Sequence, residues 1–293
     1  MNLSTMQRIW RDCMAERRCY PRLRDWLVRL YDRALTRWPK APLPFRKAVY
    51  SVRLLDYPEP FCLRLGSSDW PLLNDIFLYN EYARLLQHDI SPRLIVDLGS
   101  NIGLTLRVWQ RHYPEARILA VEPDPVNASL IFRNNPENGR GKIAVEEACI
   151  VGYSRPVKLH KEGGEWGYTV EDAGEPGKDE GGGTITSLTM TELLRRHAPG
   201  EMIDLLKCDI EGTEVELFRD CGEWLQKVRF GMVELHGSYR PKDFVRDVGA
   251  SGVPIDVLWS EETGELSLVF FETRSAWNKD TVNAEEVLLP GSL

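Results

Sequence analysis

The stretch "LIVDLGSNIGL", residues 94–104, decides the fold, because it reads as a buried strand, a glycine turn and the start of a helix. Its apolar run is typical of a parallel strand that is covered on both faces. Gly99 suits the tight turn, and Gly103 allows the helix to pack closely on the strand. The free N–H groups at the start of that helix favour an anionic group of a ligand.

Strands and amphipathic helices alternate from residue 92 onwards. We predict strands at 94–99, 117–122, 142–150, 203–208, 228–235, 255–260 and 265–272, and helices at 102–112, 125–134, 189–197, 213–221 and 241–249. This order indicates an α/β fold with a seven-stranded, mostly parallel sheet. Only "EETG" separates the last two strands, which leaves no room for a helix, so one strand should run antiparallel.

The first 55 residues form a basic, helical extension in this interpretation. Residues 1–50 carry a net charge of +8, whereas the rest of the chain carries −15. We predict helices at 6–18 and 21–38. The second helix has an apolar stripe, which we expect to pack on the body of the protein or on a second subunit. The stripe consists of Leu23, Trp26, Leu27, Leu30, Tyr31, Ala34, Leu35 and Trp38. The alternative is a basic amphipathic helix, so that residues 6–38 make a peripheral membrane contact.

The bulk composition argues against several classes of protein. We expect no transmembrane helix, because no run of about 18 apolar residues is present, and the N-terminus lacks the apolar region of a secretory signal. The six cysteines form no C-x-x-C pair, which indicates reduced thiols in a cytoplasmic protein and no zinc site. The acidic body argues against nucleic-acid binding, since neutralisation of phosphates supplies most of that affinity.

A glycine-rich segment, residues 161–183, interrupts the alternation. Eight of its 23 residues are glycine, so we expect little structure of its own. Two interpretations remain open. The segment is either a tolerated surface insertion or a lid over the substrate, with Trp166 and Tyr168 as contact residues.

Polar residues at strand ends favour a particular cofactor. Ligands of open α/β sheets bind at the carboxyl ends of the strands, and an acid such as Glu122 can accept hydrogen bonds from ribose hydroxyls there. Asn101 stands where a dinucleotide fingerprint has its middle glycine. Asp97 puts a negative charge beside the turn, which repels a pyrophosphate but suits an ammonium or a sulfonium. The combination favours S-adenosylmethionine over a nicotinamide dinucleotide.

Five segments resemble, in this order, the FkbM family of S-adenosylmethionine-dependent methyltransferases. They are LIVDLGSNIGLTLRVW, AVEPDPVNASLIFRNN, ITSLTMTELL, IDLLKCDIEGTEVELF and MVELHG. The upstream FCLRLGSSDWPLLNDIFLYNEY also resembles the approach segment of members that act on sugars. The likeness covers about residues 60–272, and the "DIEGTE" block is its most specific piece.

The resemblance implies a Rossmann-like class I methyltransferase that methylates a hydroxyl of a sugar, glycan, glycolipid or natural product. It divides the chain into an extension (1–55), an approach segment that packs on the catalytic domain (56–91), a cofactor-binding domain (92–273) and a tail (274–293). By position, the cofactor-binding residues are Asp97, Gly99, Ser100, Asn101, Gly103, Glu122, Pro123, Glu147 and Ala148. Position 147 is acidic here, whereas relatives often carry another polar residue.

Charged residues follow the fourth strand of the sheet, which should lie beside the first. Three interpretations remain open for this cluster. In the first, Asp209 or Glu211 is the general base or orients the acceptor hydroxyl. In the second, which we do not favour, the two acids help to bind a divalent cation. In the third, Lys207 pairs with a carboxylate and braces the strand end. His236 follows the fifth strand and is another candidate base, since the ordinary pKa of histidine is about 6.5.

The sequence also predicts residues that contact the substrate and leaves alternative functions open. We expect Asp69, Trp70, Trp166 and Tyr168 to contact a small-molecule, glycan or glycolipid acceptor; a homo-oligomer is compatible with the sequence. The alternative functions are a NAD-dependent oxidoreductase and a non-catalytic partner protein with a methyltransferase fold. A nucleic-acid methyltransferase is disfavoured, because no N-P-P-Y or D-P-P-Y motif is present.

Overall fold

A computed structural model of the chain describes residues 14, 16–136, 141–161, 168–172 and 184–274. Its first elements lie ahead of the alternating region. They are helix α1 (Leu23–Arg37), strands β1 (Val49–Val52) and β2 (Phe61–Arg64), helix α2 (Asp69–Phe77) and a 3-10 turn (Leu85–Gln87). β1 and β2 pair antiparallel.

Strands and helices then alternate, as the sequence predicts. The elements are β3 (Leu94–Leu98), α3 (Leu104–His112), β4 (Arg117–Val121), α4 (Pro125–Asn134), β5 (Ile143–Glu146), β6 (Cys149–Ile150), β7 (Val157–Lys161), β8 (Tyr168–Asp172), β9 (Thr184–Ile185), β10 (Ser187–Leu188), α5 (Met190–His197), β11 (Ile203–Cys208), α6 (Glu214–Arg219), α7 (Gly222–Leu225), β12 (Val228–His236), α8 (Pro241–Ala250), β13 (Ile255–Thr263) and β14 (Leu266–Thr273).

Seven strands form the main sheet, in the order β13-β14-β12-β11-β3-β4-β5. The pairs from β12 to β5 are parallel, whereas β14 runs antiparallel to both of its neighbours. The predicted sheet with one antiparallel strand is thus confirmed. In the centre, β11 pairs with β3 so that Lys207 lies opposite Asp97. Two hydrophobic clusters cover the two faces, which explains the continuous apolar strands.

Local hydrogen bonds cap the N-termini of helices α4 and α5. Asp124 caps α4, because its carboxylate accepts the N–H of Val126 at 2.7 Å, and Pro125 occupies the first turn of that helix. Thr189 and Glu192 form a capping box at α5. The caps mark where the chain leaves β4 and β10 and enters the following helices.

The region between residues 142 and 188 differs from the expectation. The strand predicted at 142–150 is divided into β5 and β6, because β6 leaves the main sheet to pair with β10. The glycine-rich segment contributes β8, which pairs with β7 in a three-stranded antiparallel sheet together with β9. Residues 162–167 and 173–183, and with them Trp166, lie outside the described residues.

Helix α1 packs on the body through part of its apolar stripe, since Leu35 is buried and Trp26 and Tyr31 pack against the core. Its buried residues are Asp25, Arg29, Asp32 and Leu35, whereas Leu23 is 55% exposed. The polar face packs inwards because the acids satisfy buried donors of the body. Asp32 accepts the N–H of Gly66 at 2.8 Å and an Arg29 N–H at 3.1 Å. Only Leu23, Leu27 and Trp38 of the apolar stripe are exposed.

Residues 6–18 lie mostly outside the described ranges, so that predicted helix stays a prediction. Among the helices that the structure describes, none combines the length and the apolar character that crossing a bilayer requires.

Candidate active site

The glycine turn after β3 is tied to the end of β4. The N–H groups of Gly99 and Ser100 both donate to the carbonyl of Val121 at 3.0 Å. Asn101 adopts the left-handed conformation, with φ 49°, which asparagine tolerates better than most residues. Its N–H donates to the carboxylate of Glu122 at 2.8 Å. The turn and Glu122 therefore form one hydrogen-bonded unit.

Glu122 is buried but keeps unused acceptor capacity. Besides Asn101, its carboxylate accepts the N–H of Asp124 at 3.0 Å and the side-chain amide of Asn127 at 3.2 Å. Burial raises the pKa of Glu122 to about 7, although these hydrogen bonds lower it. An ionised carboxylate has about four acceptor positions. Three donors therefore leave room for a hydroxyl from the adjacent cavity.

Asp97 and Gly103, both predicted to hold a cofactor, support the turn from behind. Asp97 is fully buried and accepts hydrogen bonds from Trp109 Nε1 at 2.8 Å and Ser100 Oγ at 3.2 Å. A Cβ atom on Gly103 would lie 2.8 Å from Asn135 Nδ2, so this glycine permits close packing. Neither residue lines the cavity described next.

A cavity of about 650 Å³ opens at the carboxyl ends of β3, β4, β11 and β12. This volume lies within the range of about 300–1,000 Å³ that is usual for small-molecule sites. One group of lining residues is Gly99, Ser100, Asn101, Glu122, Pro123 and Ala148. A second group is Glu81, Lys207, Asp209, Glu211, Glu234 and His236. Most of the predicted site residues thus meet in one cavity; Glu147 is exposed and does not line it.

Lys207 braces the two central strands. Its ammonium donates to the carbonyl of Gly99 at 2.8 Å and lies 3.3 Å from Asp209 and 3.6 Å from Asp97. Burial lowers the pKa of Lys207, but the carboxylates of Asp209 and Asp97 raise it well above its usual value. The lysine is therefore charged at neutral pH and cannot accept a proton.

His236 is held by three carboxylates. Its Nδ1 contacts Glu214, and its Nε2 lies 3.3 Å from Glu234 and 3.8 Å from Asp209. Burial lowers the pKa of His236, but hydrogen bonds to Glu214 and Glu234 raise it to about 11. The imidazole is then protonated at neutral pH, which argues against the predicted role as a base.

Two further carboxylates of the cavity have raised pKa values. Burial raises the pKa of Glu211 to about 7, although the positive charge of His236 lowers it. The pKa of Glu81 is also about 7, with burial as the main cause. Sequence reasoning missed Glu81, because it lies in the approach segment and does not follow a strand of the sheet.

One cluster in the described ranges has the spacing of a metal site. Asp209, Glu234 and His236 offer ligand atoms that lie within 4.8 Å of one another. This set differs from the predicted pair of Asp209 and Glu211. The ammonium of Lys207 and the imidazolium of His236 already balance these carboxylates electrostatically, so the cluster has positive partners of its own.

The prediction that Asp69 and Trp70 contact the substrate is wrong, because neither side chain lines the cavity. Asp69 is 1% exposed and binds the Arg64 guanidinium through both oxygens, at 2.7 and 2.9 Å. Trp70 is fully buried, and its Nε1 donates to the hydroxyl of Tyr20 at 2.9 Å. Their side chains belong to the core, which sequence position alone did not reveal. Tyr168 lies in β8.

The chain is similar to several known proteins. Methyltransferase sdnD of Sordaria araneosa is 30% identical over 184 residues, which cover 50% of this chain and 69% of that protein. Hexuronic acid methyltransferase AglP of Haloferax volcanii is 24% identical over 228 residues, covering 77% and 85%. Among solved structures, the ribosomal protein L11 methylase of Lactobacillus delbrueckii subsp. bulgaricus is 12% identical, with a TM-score of 0.41 and coverage of 66% and 78%.

The sheet order and the glycine turn beside Glu122 define a Rossmann-like methyltransferase fold. The family model described as "Methyltransferase FkbM domain" matches residues 97–266, so the chain belongs to the FkbM methyltransferase family.

Proposed function

We propose that this protein is an S-adenosylmethionine-dependent O-methyltransferase that acts on a hydroxyl of a sugar, glycan, glycolipid or natural product. One observation carries the proposal. A single cavity joins the glycine turn and Glu122 to the acid cluster around Lys207. A methyl donor and a hydroxyl acceptor need this proximity, because the transfer is an in-line displacement that depends on alignment.

The residues of the glycine turn and of Glu122 fit the cofactor. Glu122 would accept hydrogen bonds from the ribose hydroxyls, and the N–H groups at the start of α3 would favour the carboxylate. Ala148 and Ile150 line the cavity as apolar neighbours for the adenine. When bound, the cofactor supplies an electrophilic methyl group on a sulfonium.

The acid cluster fits the acceptor. Carboxylates accept hydrogen bonds from sugar hydroxyls, and the ion pair with Lys207 fixes the carboxylate of Asp209 in one orientation. Asp209 therefore orients the reacting hydroxyl in our proposal. Lys207 acts as a brace and His236 as a charged support for Asp209 and Glu234.

The charge of the cavity narrows the acceptor class. Besides Glu122, which we assign to the cofactor, five acids line it, against the two cations Lys207 and His236. The acids are Asp75, Glu81, Asp209, Glu211 and Glu234. This excess repels an anionic acceptor, so we propose a neutral or amino-bearing sugar or a neutral natural product. The relative named for hexuronic acid methylation supports a sugar acceptor, but the acid-rich cavity of this chain disfavours a uronic acid.

The test is methyl transfer from isotopically labelled S-adenosylmethionine to a panel of neutral sugars, amino sugars, uronic acids, glycolipids and natural-product alcohols. We expect a methyl ether and one equivalent of S-adenosylhomocysteine with neutral or amino-bearing acceptors. Binding of a nicotinamide dinucleotide in place of S-adenosylmethionine would identify an oxidoreductase. Cofactor binding without transfer to any acceptor would favour a non-catalytic partner protein.

A further inference from the structure

Glu81 lies in the segment between α2 and β3, where the end of a helix fixes its backbone. The N–H of Tyr79 donates to the carbonyl of Asn74 at 2.9 Å, and Asn80 is left-handed with φ 54°. The N–H of Glu81 then donates to the carbonyl of Asp75 at 3.1 Å. These bonds reverse the chain after α2 and bring Glu81 to the cavity wall.

The Glu81 carboxylate makes no hydrogen bond or ion pair with another residue in the part of the chain that the structure describes. Its neighbours in the cavity are engaged: Asp209 pairs with Lys207 and Glu234 with His236, both at 3.3 Å. Glu81 is half-buried, and a carboxylate without a partner in such a place is costly and is usually retained for a function.

We propose that Glu81 accepts the proton of the acceptor hydroxyl; this inference rests on the proposed function. The O–H bond of the acceptor breaks as its oxygen bonds to the methyl carbon. The carbon–sulfur bond breaks with its electron pair left on sulfur, which becomes an uncharged thioether. The proton moves to the carboxylate of Glu81 and from there to solvent, so charge and atoms balance.

The charges that face Glu81 suit this role. Burial and the negative charges of Glu234, Asp209 and Asp75 raise the pKa of Glu81 to about 7, whereas Lys207 lowers it. A general base is most effective when its pKa lies near the working pH.

The other titratable groups of the cavity fit the role less well. Lys207 and His236 are protonated at neutral pH, and Asp209 is engaged in an ion pair with Lys207. Glu211 interacts electrostatically with His236, whereas Glu81 interacts with Lys207, which is bonded to the glycine turn.

Glu81→Gln tests the inference, because glutamine keeps the shape but cannot accept the proton. We expect turnover to fall about 100-fold or more, with an unchanged dissociation constant for S-adenosylmethionine. In the wild-type protein, the turnover rate should rise with pH through about 7, and the variant should lose this rise. Asp89→Asn, an exposed acid in the same segment, is the matched control and should leave both quantities unchanged.

A readout without turnover separates this inference from the proposed function. The infrared band of protonated carboxyl groups should lose one component that titrates near pH 7 in Glu81→Gln. Wild-type turnover in the variant, or an unchanged pH profile, would overturn the role of Glu81 even if methyl transfer is established. An absence of methyl transfer in the wild-type protein would overturn both. Loss of the pH rise only in Glu211→Gln would assign the proton to Glu211.

A second inference concerns a different surface, which we name the extension face. In residues 16–40 the three acids Glu16, Asp25 and Asp32 are all buried, at 5%, 0% and 0% exposed. The exposed charged groups in this range are therefore all basic. Leu23, Leu27 and Trp38 are exposed, together with Arg18, Arg22, Arg24, Arg37 and Lys40.

We infer that the extension face binds an anionic lipid bilayer. The exposed leucines lie on the outward side of α1 and can enter the boundary of the acyl chains, while the arginines meet the lipid headgroups. Trp38 suits the boundary between lipid and water, because its indole ring is apolar and its N–H is a polar donor. A second copy of the chain fits less well, because two such basic faces repel each other.

Flotation of the full chain with vesicles tests this inference. We expect binding to vesicles of phosphatidylglycerol and phosphatidylcholine, weak binding to pure phosphatidylcholine, and loss of binding at high salt. Arg22→Gln/Arg37→Gln should weaken binding about fivefold per charge. Leu23→Ser/Leu27→Ser should abolish stable attachment.

The matched control is Phe132→Ser/Arg133→Gln, an exposed apolar and basic pair on α4. It should bind as the wild-type protein does, and the unfolding midpoint of each variant verifies the fold. Failure of the wild-type chain to float with anionic vesicles would overturn the inference. So would a leucine variant that floats normally, or one that dissociates a dimer in solution, which would make this face a contact between two copies.

Discussion

Gly99 and Asp209 approach so closely that no side chain fits between them. A Cβ atom on Gly99 would lie 1.8 Å from the carbonyl oxygen of Asp209. The N–H of Asp209 donates to the carbonyl of Leu98 at 3.1 Å, so this approach joins β3 to the end of β11. The glycine turn and the acid cluster are therefore positioned by backbone contacts between β3 and the end of β11.

Gly99→Ala should lower the free energy of unfolding and prevent cofactor binding. Alanine at φ +75° costs about 1–2 kcal/mol by itself, and the clash with Asp209 adds to this cost. Gly200→Ala is the matched control, because Gly200 also has φ +75° but has no atom within 4 Å of an added Cβ. Chemical denaturation measures both variants. Equal destabilisation in the two would contradict the importance of the contact.

Glu122→Gln should weaken S-adenosylmethionine binding about 10- to 100-fold, because a hydrogen bond to a charged acceptor becomes a neutral one. In the wild-type protein the affinity should rise with pH through about 7, as the carboxyl group ionises. Calorimetry at several pH values measures both effects. A dissociation constant that neither the substitution nor pH alters would exclude the ribose role.

His236 should remain protonated from about pH 6 to about pH 9, because Glu214 and Glu234 raise its pKa to about 11. Nuclear magnetic resonance of the imidazole measures this directly. His236→Gln should lower turnover but keep the rise of the rate near pH 7. An imidazole that titrates near its ordinary pKa of about 6.5 would restore histidine as a candidate base.

The unliganded protein should lose stability as the pH rises from about 5 to about 8. Glu81, Glu122 and Glu211 have pKa values of about 7 in the folded state, above the value of 4.5 expected without these surroundings. The folded state therefore holds these protons more tightly, and the resulting stability is complete below pH 4.5 and lost as the pH passes 7. Thermal unfolding should show a smaller decrease in Glu122→Gln. A midpoint that rises over this range would contradict the three raised pKa values.

Activity should persist in EDTA, because Lys207 and His236 already balance the cluster of Asp209 and Glu234. The measurement is turnover before and after chelation, with Mg²⁺ added back. A collapse in EDTA that Mg²⁺ reverses would favour the interpretation in which the acids hold a divalent cation.

Periodicity and turn residues predicted the main sheet well. Continuous apolar strands, the short "EETG" link and the glycine turn are local signals, and each depends on neighbouring residues alone. The same reasoning brought Glu122, Asp209 and His236 to one edge of the sheet. Glu81 was missed because only tertiary packing brings the end of α2 to that edge.

The buried acids of α1 could not be predicted from the sequence, for a physical reason. An apolar stripe normally faces the core, but Asp25 and Asp32 accept buried N–H groups from Arg53 and Gly66. The donors lie far along the chain from their acceptors, so periodicity alone does not reveal these hydrogen bonds. The raised pKa of His236 could not be predicted from the sequence either, because three carboxylates from separate elements surround the imidazole. The domain boundaries remain predictions.

The inward acids of α1 bear on how the chain can be shortened. The carboxylate of Asp32 accepts the N–H of Gly66, and the hydroxyl of Tyr20 accepts the indole N–H of Trp70. A chain that starts at residue 56 would leave both donors without their acceptors inside the protein. The basic extension is therefore part of the folded body. A truncated chain would first lose stability, so it could not separate effects on membrane binding or catalysis from effects on folding.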